Sequence, residues 1–391
     1  MTGALLVLNG GSSSLKFAVY PLEQGQAAFL RGSVSSLGHK PQLRIVRQGE
    51  VIREVEVSKH PISPIEATRV VMEAIADTAS QRAIEAVGHR IVHGGEWFTA
   101  PIVLDDDALS RLRRLVPLAP LHQPHNLDLV EFAAERLPGA VQIGCFDTAF
   151  HAGRPRLDHL YGLPRRMIDE GLVAYGFHGL SYAHIAEVLR QRYGERAGGR
   201  TIVAHLGSGA SMCAMIEGRS VATTMGFSAL DGLVMSTRCG ALDPGIILHL
   251  LTERGVDAAH LTHLLYQEAG LLGLSGISGS MSELLASEDP RAAEAVDLFV
   301  YRAVRTIGSL AAALGGLDTL VFTAGIGENA PEIRARIAAG SRWLGVALDA
   351  ERNAANEDDI TDPAGSVRAL VIPADEESAI AAGAISVIKG T

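Results

Sequence analysis

The chain has 391 residues, of which 47% are apolar and 20% charged, and its formal net charge at pH 7 is −10. This length exceeds what one hydrophobic core normally holds, so we expect two domains. The apolar content excludes an intrinsically disordered chain, and the acidic balance argues against a nucleic-acid partner, because general nucleic-acid binding needs a basic surface.

The first half of the chain predicts a strand-rich domain. Residues 4–20 read as two apolar strands around a glycine and serine turn, and residues 42–57 alternate as a second hairpin. The elements predicted next are a helix over 65–82, a strand over 86–92, helices over 106–116 and 126–137, and a strand over 140–146.

The second half begins with the same plan. Residues 201–216 again read strand, glycine and serine turn, strand. The elements predicted next are helices near 245–254, 258–269 and 290–314, a strand over 319–323, a glycine turn over 324–329 beside Pro331, a strand over 367–372 and a helix over 376–388. We expect this last helix to pack on the N-terminal lobe. Because glycine N–H groups and serine hydroxyls close on anions, the repeat predicts a duplicated nucleotide-binding fold that holds phosphates between its lobes.

The cysteines and the N-terminus predict a cellular location. Cys145, Cys213 and Cys239 lack metal-site spacing and lie far apart, so we expect free thiols in a reducing cytoplasm. The first residues lack a signal peptide, and the most apolar stretch, 307–317, is too short to cross a bilayer. We therefore expect no membrane partner.

Several polar residues stand where ligands gather. Asp147 ends an apolar strand, and ligands bind at the carboxyl ends of strands in open α/β sheets. Arg90 and Arg238 lie beside small residues, which leaves room for a guanidinium to reach carboxylate or phosphoryl oxygens. Each has an ordinary alternative when taken alone: a turn aspartate, a surface arginine, or a tight turn without a ligand. His122 and His178 would individually be read as core or surface histidines.

Taken together, these residues resemble the acetate kinase family of the sugar kinase/actin-like superfamily. The resemblance runs from Asn9–Lys16 to Ile372–Glu377, and its other blocks are His89–Gly95, Phe146–His151, Tyr175–Gly179, His205–Ser211, Met225–Phe227, Thr237–Arg238, Asp243–Gly245 and Phe322–Asn329. It implies an α/β, duplicated ribonuclease H-like fold of the actin/hexokinase type, with two domains and an active-site cleft between the lobes. The N-terminal lobe would comprise residues 1–148 plus 375–391 and the C-terminal, nucleotide-binding lobe residues 149–374.

The resemblance also implies roles for single residues. Asp147, His178 and Arg238 would be catalytic, and Arg90 would bind the substrate carboxylate. Asn9 and Glu376 would hold Mg²⁺ or Mn²⁺, which prefer oxygen ligands. The acyl group would contact Val92, Leu121, Phe177 and Ala229. The phosphates and the adenine nucleotide would bind Ser12, Ser14, Lys16, His122, His205, Leu206, Gly207, Ser208, Gly209, Ser280, Met281, Ser282, Gly325, Ile326, Gly327, Glu328 and Asn329.

The sequence departs from the family pattern at four sites. Ser208 replaces an asparagine, and Ser280 and Ser282 replace an aspartate and an arginine on the adenosine side. Leu180 and Tyr182 stand where the family's His-Gly-Thr-Ser-His has threonine and histidine. Ala229 replaces a proline of the acyl pocket. We expect this last change to enlarge the pocket for propionate or a longer acid.

These observations favour a carboxylate kinase that transfers the γ-phosphoryl group of ATP to acetate, propionate or a slightly larger acid, reversibly and by direct in-line transfer. The resemblance also implies a homodimer. Two alternatives stay open: a butyrate-type kinase or one with a donor other than ATP, given Ser208 and Ser280, and a non-catalytic actin-like nucleotide-binding protein.

Overall fold

The elements are described from a computed structural model, which covers residues 3–11, 14–23, 25, 27–78 and 82–390. Its strands are β1 (Ala4–Gly10), β2 (Leu15–Pro21), β3 (Leu30–Ser35), β4 (Gln42–Arg47), β5 (Glu50–Glu56), β6 (Ile84–Ile91), β7 (Ile102–Val103), β8 (Val141–Phe146), β9 (Arg200–Leu206), β10 (Ala210–Ile216), β11 (Arg219–Thr223), β12 (Thr319–Thr323) and β13 (Arg368–Val371).

The α-helices are α1 (Pro64–Thr78), α2 (Asp106–Arg113), α3 (Gln123–Arg136), α4 (Arg165–Asp169), α5 (Gly179–Tyr193), α6 (Pro244–Thr252), α7 (Ala258–His263), α8 (Gly270–Ser275), α9 (Met281–Leu285), α10 (Pro290–Leu314), α11 (Ala324–Asn329), α12 (Pro331–Gly340), α13 (Ala350–Ala354) and α14 (Glu376–Gly390). A π-helical turn, Leu264–Glu268, continues α7. No helix of the described residues is both long and apolar enough to span a membrane.

The chain divides into two compact units. The first unit comprises Met1–Ala152 and Asp375–Thr391, and the second unit comprises Gly153–Ala374. The sheet of the first unit has the strand order β5-β4-β3-β2-β1-β6-β8-β7. Strands β1 to β5 pair antiparallel in sequence, whereas β6 pairs parallel with both β1 and β8.

The sheet of the second unit repeats the centre of the first. Its order is β11-β10-β9-β12-β13, with antiparallel pairs β9/β10 and β10/β11 and parallel pairs β9/β12 and β12/β13. The corresponding strands of the first unit are β3-β2-β1-β6-β8, which have the same order and directions. The predicted duplicated α/β fold is therefore confirmed.

Local sequence signals explain where helices begin and end. Asp289 caps α10 by accepting the Arg291 N–H, Pro290 occupies the first helical position, and Gly315 ends the helix at φ 69°. Proline suits that position because its missing N–H would have no partner there, and glycine adopts positive φ without steric cost. Asp105 caps α2 in the same way, by accepting from the Ala108 N–H.

Helix α14 completes the core of the first unit. It packs on β1, β6 and β8. The approach is close, because a Cβ atom added to Gly88 of β6 would lie 2.9 Å from the Ile380 side chain. The Cys145 thiol of β8 donates to the Ile380 carbonyl at 3.6 Å.

Most predicted elements are confirmed, and two expectations need correction. The first predicted helix is described over Pro64–Thr78, and Arg82, the last residue of the predicted range, is not helical. The predicted glycine turn at 324–329 is itself the short helix α11, and the residue at positive φ is Ala324 (65°) rather than a glycine. The prediction of a third glycine turn is therefore wrong, because these residues form a helix. Strand β3 and helix α5 had no sequence prediction.

Candidate active site

In the first unit, Arg90 and Asp147 form a largely buried ion pair at the carboxyl ends of adjacent parallel strands. Arg90 Nη2 donates to Asp147 Oδ2 at 2.6 Å, and Arg90 Nε donates to both carboxylate oxygens at 3.2 Å. Glu376 Oε2 lies 4.0 Å from the same guanidinium. Arg90 Nη1 has no hydrogen-bond partner among the described residues, so this nitrogen can donate to a ligand.

Asn9, at the end of β1, connects this pair to the start of α14. Its amide nitrogen donates to Glu376 Oε2 at 2.9 Å and to Glu377 Oε1 at 2.7 Å. Burial raises the pKa of Glu377, with Lys16 and Asn9 opposing the shift. Burial alone would lower the pKa of Arg90, but the charges of Asp147 and Glu376 outweigh it and raise that pKa.

The donors of this cluster fit a magnesium ion. Three carboxylates (Asp147, Glu376 and Glu377) act electrostatically on one guanidinium, that of Arg90. Carboxylate oxygens are hard ligands of the kind that Mg²⁺ prefers. The described residues contain no group of three His, Cys, Asp or Glu placed to hold a metal together. Water and substrate oxygens would therefore complete the coordination, as is common for Mg²⁺.

In the second unit, His178 and Arg238 lie against Gly209 of the β9–β10 turn. A Cβ atom added to Gly209 would lie 2.6 Å from Arg238 Nη2 and 3.2 Å from His178 Nε2. Arg238 Nη1 donates to the Ala229 carbonyl at 2.5 Å. Glycine at this turn therefore lets one cation and one imidazole converge beside the turn's backbone.

His178 is held firmly although its backbone is strained. Its φ of 58° and ψ of 22° are left-handed values that are rare for residues other than glycine, and they occur at the first turn of α5. Its Nδ1 contacts Ser211 Oγ at 2.9 Å, and Ser211 Oγ contacts the Tyr182 hydroxyl at 2.5 Å. The His178 ring also stacks on the His205 ring, with centroids 4.3 Å apart.

A cavity of about 710 Å³ in the second unit matches much of the predicted nucleotide site. The predicted residues that line it are Gly207, Ser208, Ser280, Met281, Ser282, Gly325, Ile326 and Asn329. Among the described residues, the other predicted nucleotide residues of this unit do not line it: His205, Leu206, Gly209, Gly327 and Glu328. The Leu206 side chain is fully buried in β9, and Glu328 Oε1 accepts from the Ala374 N–H at 2.9 Å.

The remaining predicted residues are divided between the two units. Leu121 and His122 line a small cavity with Gly10 and Gly11, next to the first glycine turn. The Ser14 carbonyl accepts from the Gly11 N–H at 2.8 Å, and Lys16 is exposed on β2. Val92 and Phe177 are buried, Ala229 is half-buried, and Ser12 lies outside the described residues.

Sequence reasoning missed several residues of these clusters. The Asn9 amide nitrogen donates to Glu377 as well as to Glu376. The only sequence signal for Glu377 is its position next to Glu376. Ser211 and Ser181 hold the two stacked histidines, and they stand beside predicted motif residues without any pattern of their own. Ser236 and Glu332 line the 710 Å³ cavity from segments with no phosphate-binding signature.

Comparisons with known proteins identify the family of the chain. The family model described as the Acetokinase family matches residues 4–382. Acetate kinase of Rhodopseudomonas palustris (strain TIE-1) is 49% identical over 387 residues, which cover 97% of each chain. Acetate kinase of Methylocella silvestris is 44% identical, again over 97% of each chain.

Two solved structures are also similar. A propionate kinase from Francisella tularensis superposes with a TM-score of 0.90 at 31% identity, covering 98% of this chain and 100% of the other. Porphyromonas gingivalis acetate kinase superposes with a TM-score of 0.84 at 33% identity, covering 99% and 100%. The chain therefore belongs to the acetokinase family and is a kinase.

Proposed function

We propose that the protein transfers the γ-phosphoryl group of ATP to a short-chain carboxylate and forms an acyl phosphate, reversibly and by direct in-line transfer. The observation that carries the proposal is the convergence of His178 and Arg238 on Gly209. These side chains supply hydrogen-bond donors and positive charge beside the turn that leads into the nucleotide cavity. Such donors stabilise the equatorial oxygens of a phosphoryl group in transfer.

The carboxylate substrate binds at Arg90. Asp147 holds the Arg90 guanidinium through Nε and Nη2, which leaves Nη1 to donate to the substrate. A short-chain carboxylate is ionised at neutral pH, so the reaction needs no general base. Catalysis then consists mainly of alignment and neutralisation of charge.

Asn9 and Glu376 hold Mg²⁺ in this proposal, with Mn²⁺ as a substitute. When bound, the ion neutralises negative charge on the phosphate oxygens. Ser12, Ser14 and Lys16 line the phosphate path, and the adenine nucleotide occupies the cavity bounded by Ser208, Ser280 and Gly325. In this proposal ATP is still the phosphoryl donor, although serines stand at positions 208, 280 and 282.

The acyl group contacts Val92, Leu121, Phe177 and Ala229. Alanine in place of the family's proline removes carbon atoms from the contact surface, so propionate fits at least as well as acetate. One methylene in an apolar pocket changes binding by about 1–3 kcal/mol, or roughly 10- to 200-fold in kcat/KM.

Hydroxylamine trapping of the acyl phosphate tests both levels of the proposal. The assay compares C2 to C4 acids with ATP, GTP and pyrophosphate in the wild type and in Ala229→Pro. We expect hydroxamate with ATP, and a shift of preference towards acetate in the variant. Absence of hydroxamate with every acid would refute the activity, and a steep wild-type preference for acetate would refute the enlarged pocket.

A homodimer is proposed from the apolar surface of α6. Ile246, Leu248 and Leu251 are exposed on this helix, and Leu248 is 61% exposed. Leu248 and Leu251 are three residues apart and lie on one face of the helix, and an exposed apolar face is typical of protein interfaces. We expect sedimentation of the wild type as a dimer and of Leu248→Glu as a monomer, and a monomeric wild type at micromolar concentration would contradict this.

A cytoplasmic location, expected from the cysteines, stays a prediction.

A further inference from the structure

A chain of two hydrogen bonds connects the His178 ring, through Ser211, to the buried side chain of Tyr182. Tyr182, in the first turns of α5, has no exposed surface, and its hydroxyl contacts Ser211 Oγ at 2.5 Å. Ser211, also fully buried on β10, contacts His178 Nδ1 at 2.9 Å. The three side chains form a continuous chain of hydrogen bonds from the helix, through the strand, to the imidazole.

A second contact of the same kind limits movement of the rings. Ser181 Oγ, also on α5, contacts His205 Nδ1 at 2.9 Å, and His205 belongs to β9. The His178 and His205 rings stack at an interplanar angle of 26°. Each histidine is therefore held by a serine of the opposite element, so α5 and the β9–β10 hairpin fix both rings together. With the ring plane fixed, the hydrogen bond at Nδ1 decides which nitrogen carries the proton.

Burial raises the pKa of Tyr182 well above its ordinary value, so the phenol stays protonated and can donate to Ser211 Oγ. In that arrangement the Ser211 hydroxyl donates to His178 Nδ1, and a neutral imidazole that accepts at Nδ1 carries its proton on Nε2. Nε2 is the nitrogen that faces Gly209, where an added Cβ would lie 3.2 Å away.

We propose that Tyr182 is a positioning residue that acts through Ser211 to keep the proton of His178 on Nε2, so that this N–H donates to the phosphoryl group in transfer. The inference rests on the proposed function, because it assigns His178 to that group. Tyr182 itself touches neither substrate nor nucleotide. Its effect on the reaction is carried entirely by the tautomer and orientation of His178.

Tyr182→Phe tests this, because it removes the hydroxyl and keeps the buried ring. We expect kcat to fall about tenfold, which corresponds to about 1.4 kcal/mol, a typical value for one hydrogen bond. KM for both substrates should stay within twofold. Tyr182→Phe combined with Ser211→Ala should be no slower than Ser211→Ala alone, because both changes interrupt the same chain. Tyr175→Phe is the matched control: it removes a phenol that donates to the Gly171 carbonyl, and it should leave kcat unchanged.

The ¹⁵N spectrum of the His178 ring supplies a readout independent of activity. We expect the Nε2–H tautomer in the wild type and a mixture of tautomers in Tyr182→Phe. A wild type protonated on Nδ1, or a Tyr182→Phe variant with unchanged tautomer and kcat, would overturn the proposal. If the tautomer shifts as expected while His178→Ala keeps full activity, the positioning stands and the proposed function loses His178.

Discussion

Gly209→Ala offers a sharp test of the second-unit site, because it adds one carbon atom where His178 and Arg238 converge. The backbone of Gly209 is outside the left-handed region, so alanine is sterically allowed there. The new Cβ would lie 2.6 Å from Arg238 Nη2 and 3.2 Å from His178 Nε2, whereas ordinary contacts begin at 3.4 Å. The Arg238 guanidinium must therefore withdraw by about 0.8 Å.

The effect should fall on turnover rather than on folding. The contacted atom is the end of a flexible side chain, so the fold adjusts at little cost. Replacing glycine by alanine also stabilises a compatible backbone by about 0.4–1 kcal/mol. Catalysis is more sensitive, because a displacement of about 1 Å from the productive geometry costs on the order of 100-fold in rate. We expect kcat to fall about 100-fold while the KM for nucleotide changes little.

The measurement is steady-state kinetics by hydroxamate formation, together with thermal unfolding of each variant. Gly153→Ala is the matched control, because a Cβ atom added to Gly153 has no neighbour within 4 Å. Its kcat should equal that of the wild type. A Gly209→Ala enzyme that keeps kcat within threefold would refute the proposed roles of His178 and Arg238. So would one that loses nucleotide affinity instead of turnover.

Two further predictions concern stability. Burial lowers the pKa of His89 from its ordinary value of 6.5 to about 4, despite the hydrogen bond to Gln142. Between pH 6.5 and pH 4 the unfolded chain therefore binds more protons at this histidine than the folded protein does. The free energy of unfolding falls as the pH falls through this window. Denaturant titrations of His89→Gln should show about 2 kcal/mol less loss of unfolding free energy between pH 7 and pH 5 than the wild type, and an equal loss would contradict the assignment. Arg334 is fully buried and donates to the carbonyls of Gly327, Glu328 and Asn353 at 2.7–2.9 Å. Arg334→Met should therefore lower the free energy of unfolding by about 3 kcal/mol, because the carbonyls that lose their donor stay buried away from water. The surface variant Arg336→Met should cost less than about 1 kcal/mol, and equal costs for the two would show that the buried bonds contribute nothing.

The fold was predictable where apolar strands and turn residues occur together. Strands β1, β2, β9 and β10 are almost wholly buried, so apolar residues dominate their sequences, and glycine and serine lie in the turns between them. Strand β3 reads Leu-Arg-Gly-Ser-Val-Ser, which lacks both alternation and an apolar run. Its pairing with β2 and β4 is long-range information that no local pattern carries.

Helix α5 was missed for a related reason. His178, in a left-handed conformation, stands where a capping Ser, Thr, Asp or Asn usually signals a helix start, and it makes no capping hydrogen bond. The buried positions of α5 include a glycine and a serine as well as apolar residues, so the apolar periodicity is weak. The sequence identified His178 as a candidate through its motif, but the partners that hold it come from β10 and α5.

The first-unit site shows the same limit. Arg90 was expected near a ligand because small residues flank it, and Asp147 because it follows an apolar strand. That they pair with each other depends on the register of β6 against β8, in which Arg90 lies opposite Cys145, two residues before Asp147. Neighbouring strands thus bring together charges that are 57 residues apart in the chain.

The packing of α14 on β1, β6 and β8 has a consequence for biosynthesis. The strands emerge from the ribosome early, whereas the helix that covers them is translated only after residues 153–374. The second unit is continuous in sequence and can finish folding during elongation. In the first unit, the apolar sheet face that α14 covers stays exposed until α14 has left the ribosome. A nascent chain stalled before Glu376 should therefore bind chaperones through this face, and removal of the helix should turn the face into a site of aggregation.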